Sequence, residues 1–526
     1  MSRTASALLG YTLHGHEPVA TPSGACYLAP RDGGELISLA GRGLDHLLDR
    51  LLEQHLPDAT LPPSVSVQVR VRLERYALDQ PRRPVHVRVA PDPAGPGVAV
   101  DLADQAGRSI QIDGDGWRIR ARSDLRRLGA AKPLFLRAPG MLALPEPHAG
   151  GDQPIEDLVG RLLNVPSEDD RRMIVSFLLG CFMPAGPFPL LHLVGEAGSA
   201  KSCAARVLRQ LVDPAAEPLS GPPGEQRDLL VAAQTSHVPA FDNISAIPGD
   251  MSDALCRIST GGGLTLRKLY TDGDSYTFSV CRPVILTSIG NVISRGDLAD
   301  RSVTIRLPRI IPCDRLDESE LEQRLARLAP LILGRLCDVT ACALKHSGSV
   351  RVRDLPRLAR WARWVSAAEP ALGWPTGTFV RLHRERHREQ SGDLLAGDLL
   401  APYLFQVGRR GWRGTARDLL HCIDALATDA ERRSRGWPAT PRALTSTVTR
   451  LAPLLAEAGD IAVHDAGLDR HLKVRIFELR PVDQPGQETL PEVTSLRPAS
   501  GAGEDAASPF AGMGGLVRLP GAEAPS

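Results

Sequence analysis

The stretch Gly195-Glu196-Ala197-Gly198-Ser199-Ala200-Lys201-Ser202 decides how the rest of the chain is read. Ahead of it runs Pro189-Leu190-Leu191-His192-Leu193-Val194, short, apolar and bounded by proline, as a buried strand should be. Behind it, Cys203 to Leu211 carries apolar residues at helical spacing. Strand, glycine-rich loop, Lys-Ser and helix are the parts of a phosphate-binding P-loop. A triphosphate must meet several backbone N–H donors at once, and the helix N-terminus adds about half a positive elementary charge. Gly195, Glu196, Ala197, Gly198, Ser199, Ala200, Lys201 and Ser202 are therefore the candidate nucleotide-binding residues. Lys201 is expected to reach the β- and γ-phosphates, and the Ser202 hydroxyl to ligate Mg²⁺.

Ala200 stands where a glycine is usual. That position opens the helix, so a negative φ, which a methyl group tolerates, is expected there. Gly195 and Gly198, inside the turn, are where a positive φ is expected.

At 526 residues the chain has room for roughly three domains. A formal net charge of +1 excludes a globally basic nucleic-acid binder, so any DNA contact must be a local patch. Lysine is rare, occurring at Lys132, Lys201, Lys268, Lys345 and Lys473, and two of these fall in candidate functional loops. The nine cysteines show no C-x-x-C pair, which favours reduced thiols over a zinc site. No run resembles a signal peptide or a membrane span, so a soluble, cytoplasmic protein without a membrane partner is expected.

Residues 1–150 read as an N-terminal α+β region. Leu36 to Leu56 has the stripe of an amphipathic helix, and His86 to Arg122 alternates with period two between Pro-Gly and Asp-Gly turns. This predicts an antiparallel meander whose first strand is Val87-Arg88-Val89. Arg82, Arg83, Arg88, Arg118, Arg120 and Arg122 are expected on a solvated or basic face. Ala138 to Pro154 reads as a tether.

In residues 151–315 two helices lead into the P-loop strand, and strands and helices then alternate, which implies an α/β sheet of mostly parallel strands. Val238-Pro239-Ala240-Phe241-Asp242-Asn243 is a strand ending in an acid, as the Walker B role of holding Mg²⁺ requires. Pro239 is awkward in a central ladder. Asn243 stands where many ATPases carry a glutamate, and an amide can orient water but cannot take its proton. Asp272-Gly273 predicts a hairpin turn that presents Arg267 and Lys268 outward. Pro283-Val284-Ile285-Leu286-Thr287 is a buried strand ending in a polar group, as a γ-phosphate sensor would.

Six motifs follow in order: Gly195 to Ser202, Phe241-Asp242-Asn243-x-Ser245, Ser252-Asp253-x-Leu255-Cys256-Arg257, Thr260-Gly261-Gly262-Gly263, Arg267-x-Leu269-Tyr270-Thr271-Asp272 and Asp297-Leu298-Ala299-Asp300-Arg301. Together they resemble the ATPase module of phage and plasmid primase-helicases, the superfamily 3 branch of the AAA-type P-loop proteins. The resemblance spans about Pro189 to Pro308 and is nearest to prophage and mobile-element ATPases. It implies ATP and Mg²⁺ as cofactors, Asp242 as the metal residue and a hairpin carrying Lys268 into the pore of a homo-oligomeric ring, a hexamer. It also implies Arg301 as an arginine finger offered to the neighbouring subunit; the alternative is a structural ion pair with Asp297 or Asp300. Relatives usually carry asparagine where this chain has Thr287, and Thr287 or nearby Asn291 is the candidate substitute.

Residues 316–397 read as a helical lid, with Leu321, Leu325, Leu328, Leu331, Ile332 and Leu336 as its stripe and Arg381 to Arg388 as a solvated mixed-charge surface. Residues 398–480, helices followed by two strands, resemble a winged helix. Arg442, Thr445, Ser446, Thr449 and Arg450 would then face DNA, with protein contact as the alternative. Residues 481–526 are expected to be disordered. No zinc-ribbon or acidic primase signature is present. The expected function is an ATP-hydrolysing DNA motor, against a slow ATP-controlled DNA-binding switch or an ATP-dependent assembly scaffold.

Overall fold

Leu190–Val194 is buried at each position because it runs inside a parallel sheet of four strands. Ser302–Arg306 lies on one side of it and Val284–Ser288 on the other, with Ala240–Phe241 at the far edge. In this computed structural model, residues 2–482 are described apart from 32–34, 58–59, 94, 128–131, 268–274, 312–314, 354 and 470–473. The chain divides into a unit Met1–Pro481 and a second, Val482–Ser526, which lies almost wholly outside the described residues. The disorder expected of 481–526 falls outside the described residues except at Pro481, which closes the strand Val474–Pro481, and Val482.

An all-parallel sheet must be covered on both faces. On one, Leu230, Phe241, Leu255, Leu286 and Leu298 pack together. On the other, a continuous apolar core joins Leu191 and Leu193 to Phe177 of the helix Glu168–Gly180, to Val98 and Ile110 of the meander, and to Trp361 and Phe379 of the lid helices. Those helices are Glu318–His346, Ala359–Leu372 and Thr378–Ala396. Trp361 Nε1 donates to the Ser176 carbonyl (2.9 Å) and Trp364 Nε1 to that of Leu179 (3.1 Å), which fixes lid on core. Pro239 proves harmless: its strand lies at the sheet edge, where only its carbonyl is used, accepting from the Ile285 N–H (3.0 Å).

The meander Val89–Pro91, Gly97–Asp101, Ser109–Asp113, Gly116–Arg120 pairs antiparallel in sequence order. Arg88 departs from expectation. It precedes the strand with φ at 65°, and is 0% exposed. Its Nε pairs with Asp213 Oδ1 at 3.2 Å, and its other nitrogens donate to the carbonyls of Asp101, Leu142 and Pro214. A guanidinium can be buried when all its edges are matched in this way. Arg120 also turns inward, to Asp92 at 3.3 Å. Residues 138–154 form a packed strap where a tether was expected: the N–H groups of Leu142, Leu144 and His148 donate to Pro214, Leu102 and Pro330.

The N-terminal sheet His16–Ala20, Cys26–Pro30, Ile37–Ser38 packs with the helices Arg3–Gly15, Arg42–His55 and Pro63–Asp79. The helix expected from Leu36 starts at Arg42 because Ile37–Ser38 is engaged by Tyr27 and Leu28. The C-terminal unit has the helices Ala401–Gly408, Ala416–Leu426 and Pro441–Ala458. They accompany a three-stranded antiparallel sheet with Val474–Pro481 between Trp412–Thr415 and Ile461–Asp469. Thr415 and Asp418 form the capping box that starts the second helix. The strand Trp412–Thr415 was not expected from sequence. Among the described residues no helix is long and apolar enough to cross a membrane.

Candidate nucleotide site

Parallel pairing sets the register Thr287 opposite Leu193 and Ser288 opposite Val194, so the strand ends arrive together beside Gly195. Open α/β sheets bind ligands outside their carboxyl ends. Here Ser202 Oγ donates to Asp242 Oδ1 (2.8 Å), and Thr287 Oγ1 donates to the same carboxylate oxygen. The Thr287 hydroxyl in turn accepts the Asn243 N–H (2.9 Å), and the Thr287 carbonyl accepts that of Ile244 (2.8 Å). Two hydroxyls, one at a helix start and one at a strand end, thus converge on one oxygen of Asp242. Asn243 is exposed with φ at 58°, a left-handed conformation that asparagine tolerates.

The loop itself differs from expectation in its strain. Gly198 has the positive φ foreseen, 83°, but Ala200 has φ 62° and ψ 31°, left-handed, where a negative value was expected. The reason is closure: the loop must reverse into the helix Lys201–Val212, and the residue before the helix absorbs the turn. Gly195 does not have the positive φ expected of it, and its lack of a side chain answers to space instead. A Cβ there would meet Ser199 Oγ at 2.5 Å and the Leu307 carbonyl at 2.6 Å. Ser199 Oγ is buried and has no partner. Lys201 Nζ donates to the Glu196 carbonyl (3.0 Å).

The residues fit Mg²⁺ and a nucleotide. Ser202 and Asp242 offer the hard oxygen donors that magnesium takes. The Ser199 hydroxyl is an unpartnered polar group in the loop, and the space at Gly195 admits no side chain.

Several contributors were not foreseen. Arg315 brings its Nη2 to 3.4 Å from where a Cβ on Gly198 would stand, so a cation overhangs the loop. Asn164 Nδ2 donates to the carbonyls of Pro308 (2.6 Å) and Ser199 (3.4 Å), tying the loop to the chain that follows the last strand. His192, in the strand Leu190–Val194, shares a hydrogen bond with Ser288 Oγ (2.7 Å), and burial lowers its pKa to about 4, so it is neutral. Only tertiary structure reveals these roles.

Arg301 is 8% exposed and donates to the Asp297 carbonyl of its own chain. The contact is with a main-chain carbonyl, and among the described residues no ion pair joins Arg301 to the carboxylate of Asp297 or Asp300. Asn291 lies past the strand end and uses its Oδ1 on the Ile293 N–H (3.1 Å). The hairpin Gly263–Arg267 with Ser275–Ser279 forms, ending in the pair Arg267↔Ser275; Lys268 and the Asp272-Gly273 turn lie outside the described residues. On the helix Pro441–Ala458, Arg442, Ser446, Thr449 and Arg450 are exposed and Thr445 half-buried. Arg450 pairs with Asp398 (2.7 Å).

Residues 155–376 match the family described as the actinomycete integrative conjugative element replication protein, and residues 400–489 match the AICE RepA C-terminal domain. Solved structures that resemble the chain include the SCCmec type IV Cch active helicase, at 11% identity and TM-score 0.41 over 89% of this chain and 93% of that one. Another is the apo NrS-1 C-terminal region, at 10% identity and TM-score 0.36 over 87% of this chain and 91% of that one. No curated protein matches the chain. Over its two matched segments, this chain is similar to the replication proteins of actinomycete integrative conjugative elements.

Proposed function

We propose that the chain is an ATP-hydrolysing DNA motor for replication of a mobile element, a superfamily 3-like, AAA-type P-loop NTPase without a primase. The observation that carries the reading is the convergence of Ser202 and Thr287 on Asp242 at the mouth of the P-loop. In this reading Lys201 leaves the Glu196 carbonyl for the β- and γ-phosphates. Ser202 and Asp242 hold Mg²⁺, which when bound supplies charge neutralisation on the phosphate oxygens. Thr287 keeps Asp242 oriented, the Asn243 amide orients the attacking water, and Arg315 adds positive charge in cis.

DNA would be engaged by Arg267 and Lys268 in a ring pore, and by Arg442, Thr445, Ser446, Thr449 and Arg450 on a winged helix. A finger role for Arg301 in a homo-hexamer requires the turn at Gly296–Ala299 to release it when a neighbour docks. The test is ATP-driven strand displacement on a forked duplex. Separation of strands by wild type and not by Lys201→Ala supports the motor. Asn243, standing in place of a carboxylate, favours one second reading: a slow nucleotide switch, which would bind DNA in an ATP-dependent way without separating strands.

A further inference from the structure

The helix Thr378–Ala396 does not simply solvate its charged face. His387 lies between two carboxylates: its Nε2 is 3.0 Å from Asp300 Oδ1, and its Nδ1 meets Glu457 Oε1. Asp300 belongs to the turn that leads into Arg301, and Glu457 to the last turn of the helix Pro441–Ala458. Around this link, Ser391 Oγ donates to Glu457 Oε2 (3.0 Å) and Arg388 Nε to the Glu457 carbonyl (3.1 Å). At the other end of the turn, Leu454 Cδ2 stands 3.9 Å from where a Cβ on Gly296 would be. Leu454 and Glu457 are three residues apart and share one helical face. That face, directly through Leu454 and by way of His387, holds the turn 296–301 at both ends.

The turn has to be held. Arg301 is buried, its Nη1 donates to the Asp297 carbonyl, and among the described residues its Nε has no partner. Arg88, with its donors matched on every edge, is the contrast. A buried guanidinium with part of its donor set unmatched is costly, so contacts from outside the turn must offset that cost. The helix that provides them also carries the residues offered to DNA. Arg442, Ser446 and Thr449 are exposed on it, and Arg450 is occupied by Asp398 at 2.7 Å. Its eighteen residues make a rod of about 27 Å, so displacing one end moves the other.

We propose that the helix Pro441–Ala458 is an autoinhibitory clamp on Arg301. Docked on the lid, it keeps Arg301 turned into its own subunit, where the guanidinium cannot reach a neighbour's nucleotide. Phosphates that draw Arg450 from Asp398 and pull the helix off the lid take Glu457 and Leu454 with it, and the turn 296–301 opens. DNA at the C-terminal unit thereby switches on hydrolysis at the adjoining subunit. A ligand shifts such an equilibrium only by binding the two states differently. Arg450, paired with Asp398 in the docked state and available to phosphate in the released one, supplies that difference.

The inference rests on the reading of Arg301 as a finger, and the experiment separates the two. ATP turnover of the full chain is measured with and without a forked duplex. The proteins are wild type, Glu457→Ala, Arg301→Ala, the variant carrying both, and Gly392→Cys with Ala458→Cys. A Cβ on Gly392 would stand 4.0 Å from that of Ala458, within the span of a disulfide, so oxidation staples the helix to the lid. Without DNA, Glu457→Ala should turn over about fivefold or more faster than wild type, and adding Arg301→Ala should cancel the gain. The oxidised staple should keep the basal rate and lose its response to DNA, and reduction should restore that response. Wild type given the same oxidant controls for the native cysteines. A staple shown by peptide mapping to be closed, yet stimulated by DNA as wild type is, overturns the clamp alone. So does a gain in Glu457→Ala that survives the loss of Arg301. Arg301→Ala with the DNA-stimulated turnover of wild type overturns the clamp and the finger reading together.

Discussion

Ser202 Oγ donates to Asp242 Oδ1 at 2.8 Å, joining the first turn of the P-loop helix to the end of the edge strand. Thr287 reaches the same oxygen from the strand between them. The hydroxyl, not the shape, of Thr287 matters in this account. Thr287→Val should cost about 2 kcal/mol of stability, the range for a hydrogen bond to a charged group. It should also lower turnover at least tenfold while nucleotide binding persists. Thr287→Ser should restore most of both. Steady-state kinetics beside urea melts check this, and a valine variant with normal turnover would remove Thr287 from the site.

The left-handed Ala200 gives a stability series. Glycine there should be tolerated within about 0.5 kcal/mol, because relief of φ strain offsets the greater freedom of the unfolded chain. Valine, β-branched at positive φ, should cost roughly 1–3 kcal/mol. Were the residue right-handed, as its place at a helix start suggests, valine would behave as an ordinary surface substitution. Denaturant midpoints for the two variants decide between these.

Arg88 and Asp213 form a buried pair that links the meander, the end of the helix Lys201–Val212 and the segment leading into the strand Ala240–Phe241, since Asp213 also accepts the N–H groups of His237 (2.8 Å) and Val238 (3.1 Å). Removing one partner strands a buried charge. Arg88→Ala should therefore destabilise by about 3–5 kcal/mol. A loss below about 1 kcal/mol in urea unfolding would show the pair to be dispensable.

His387 carries the pH dependence. Burial works against its charge, but the carboxylates of Asp300 and Glu457 outweigh burial and raise its pKa to about 9. The stacked ring of His383 and the Arg357 guanidinium, 4.0 Å from Asp300, also stand nearby. A folded pKa above the unfolded value of about 6.5 gives stability that is complete below about pH 6.5 and lost as pH rises through about 9. The stability gap between wild type and His387→Gln should accordingly shrink between about pH 6.5 and about pH 9.5. A gap constant over that range would mean the imidazolium is not what joins lid, core and C-terminal helix.

Ser202, Asp242 and Thr287 were legible because each closes or follows a short apolar run, and parallel strands bring such ends to one edge. The meander and the helix Pro441–Ala458 were legible by periodicity and caps. Arg88 was not: alternation placed it on a strand face, while its partner lies 125 residues away. The φ of Ala200 is not legible in the sequence, because loop closure, not residue type, sets it. Arg315 over the P-loop, and the meeting of Asp300, His387 and Glu457, are tertiary facts with no local signature. Arg301 was assigned by resemblance, and its burial depends on how the turn at Asp297 folds.

The central claim is that this P-loop binds and cleaves ATP under the control of DNA. Phosphate release is measured with Mg²⁺, with and without single-stranded DNA, for wild type, Lys201→Ala and Asp242→Ala. The account predicts Mg²⁺-dependent release by wild type that rises with DNA. Both variants should fall to background, with nucleotide binding weakened in Lys201→Ala and partly kept in Asp242→Ala. Turnover in Lys201→Ala equal to that of wild type, with or without DNA, would contradict it.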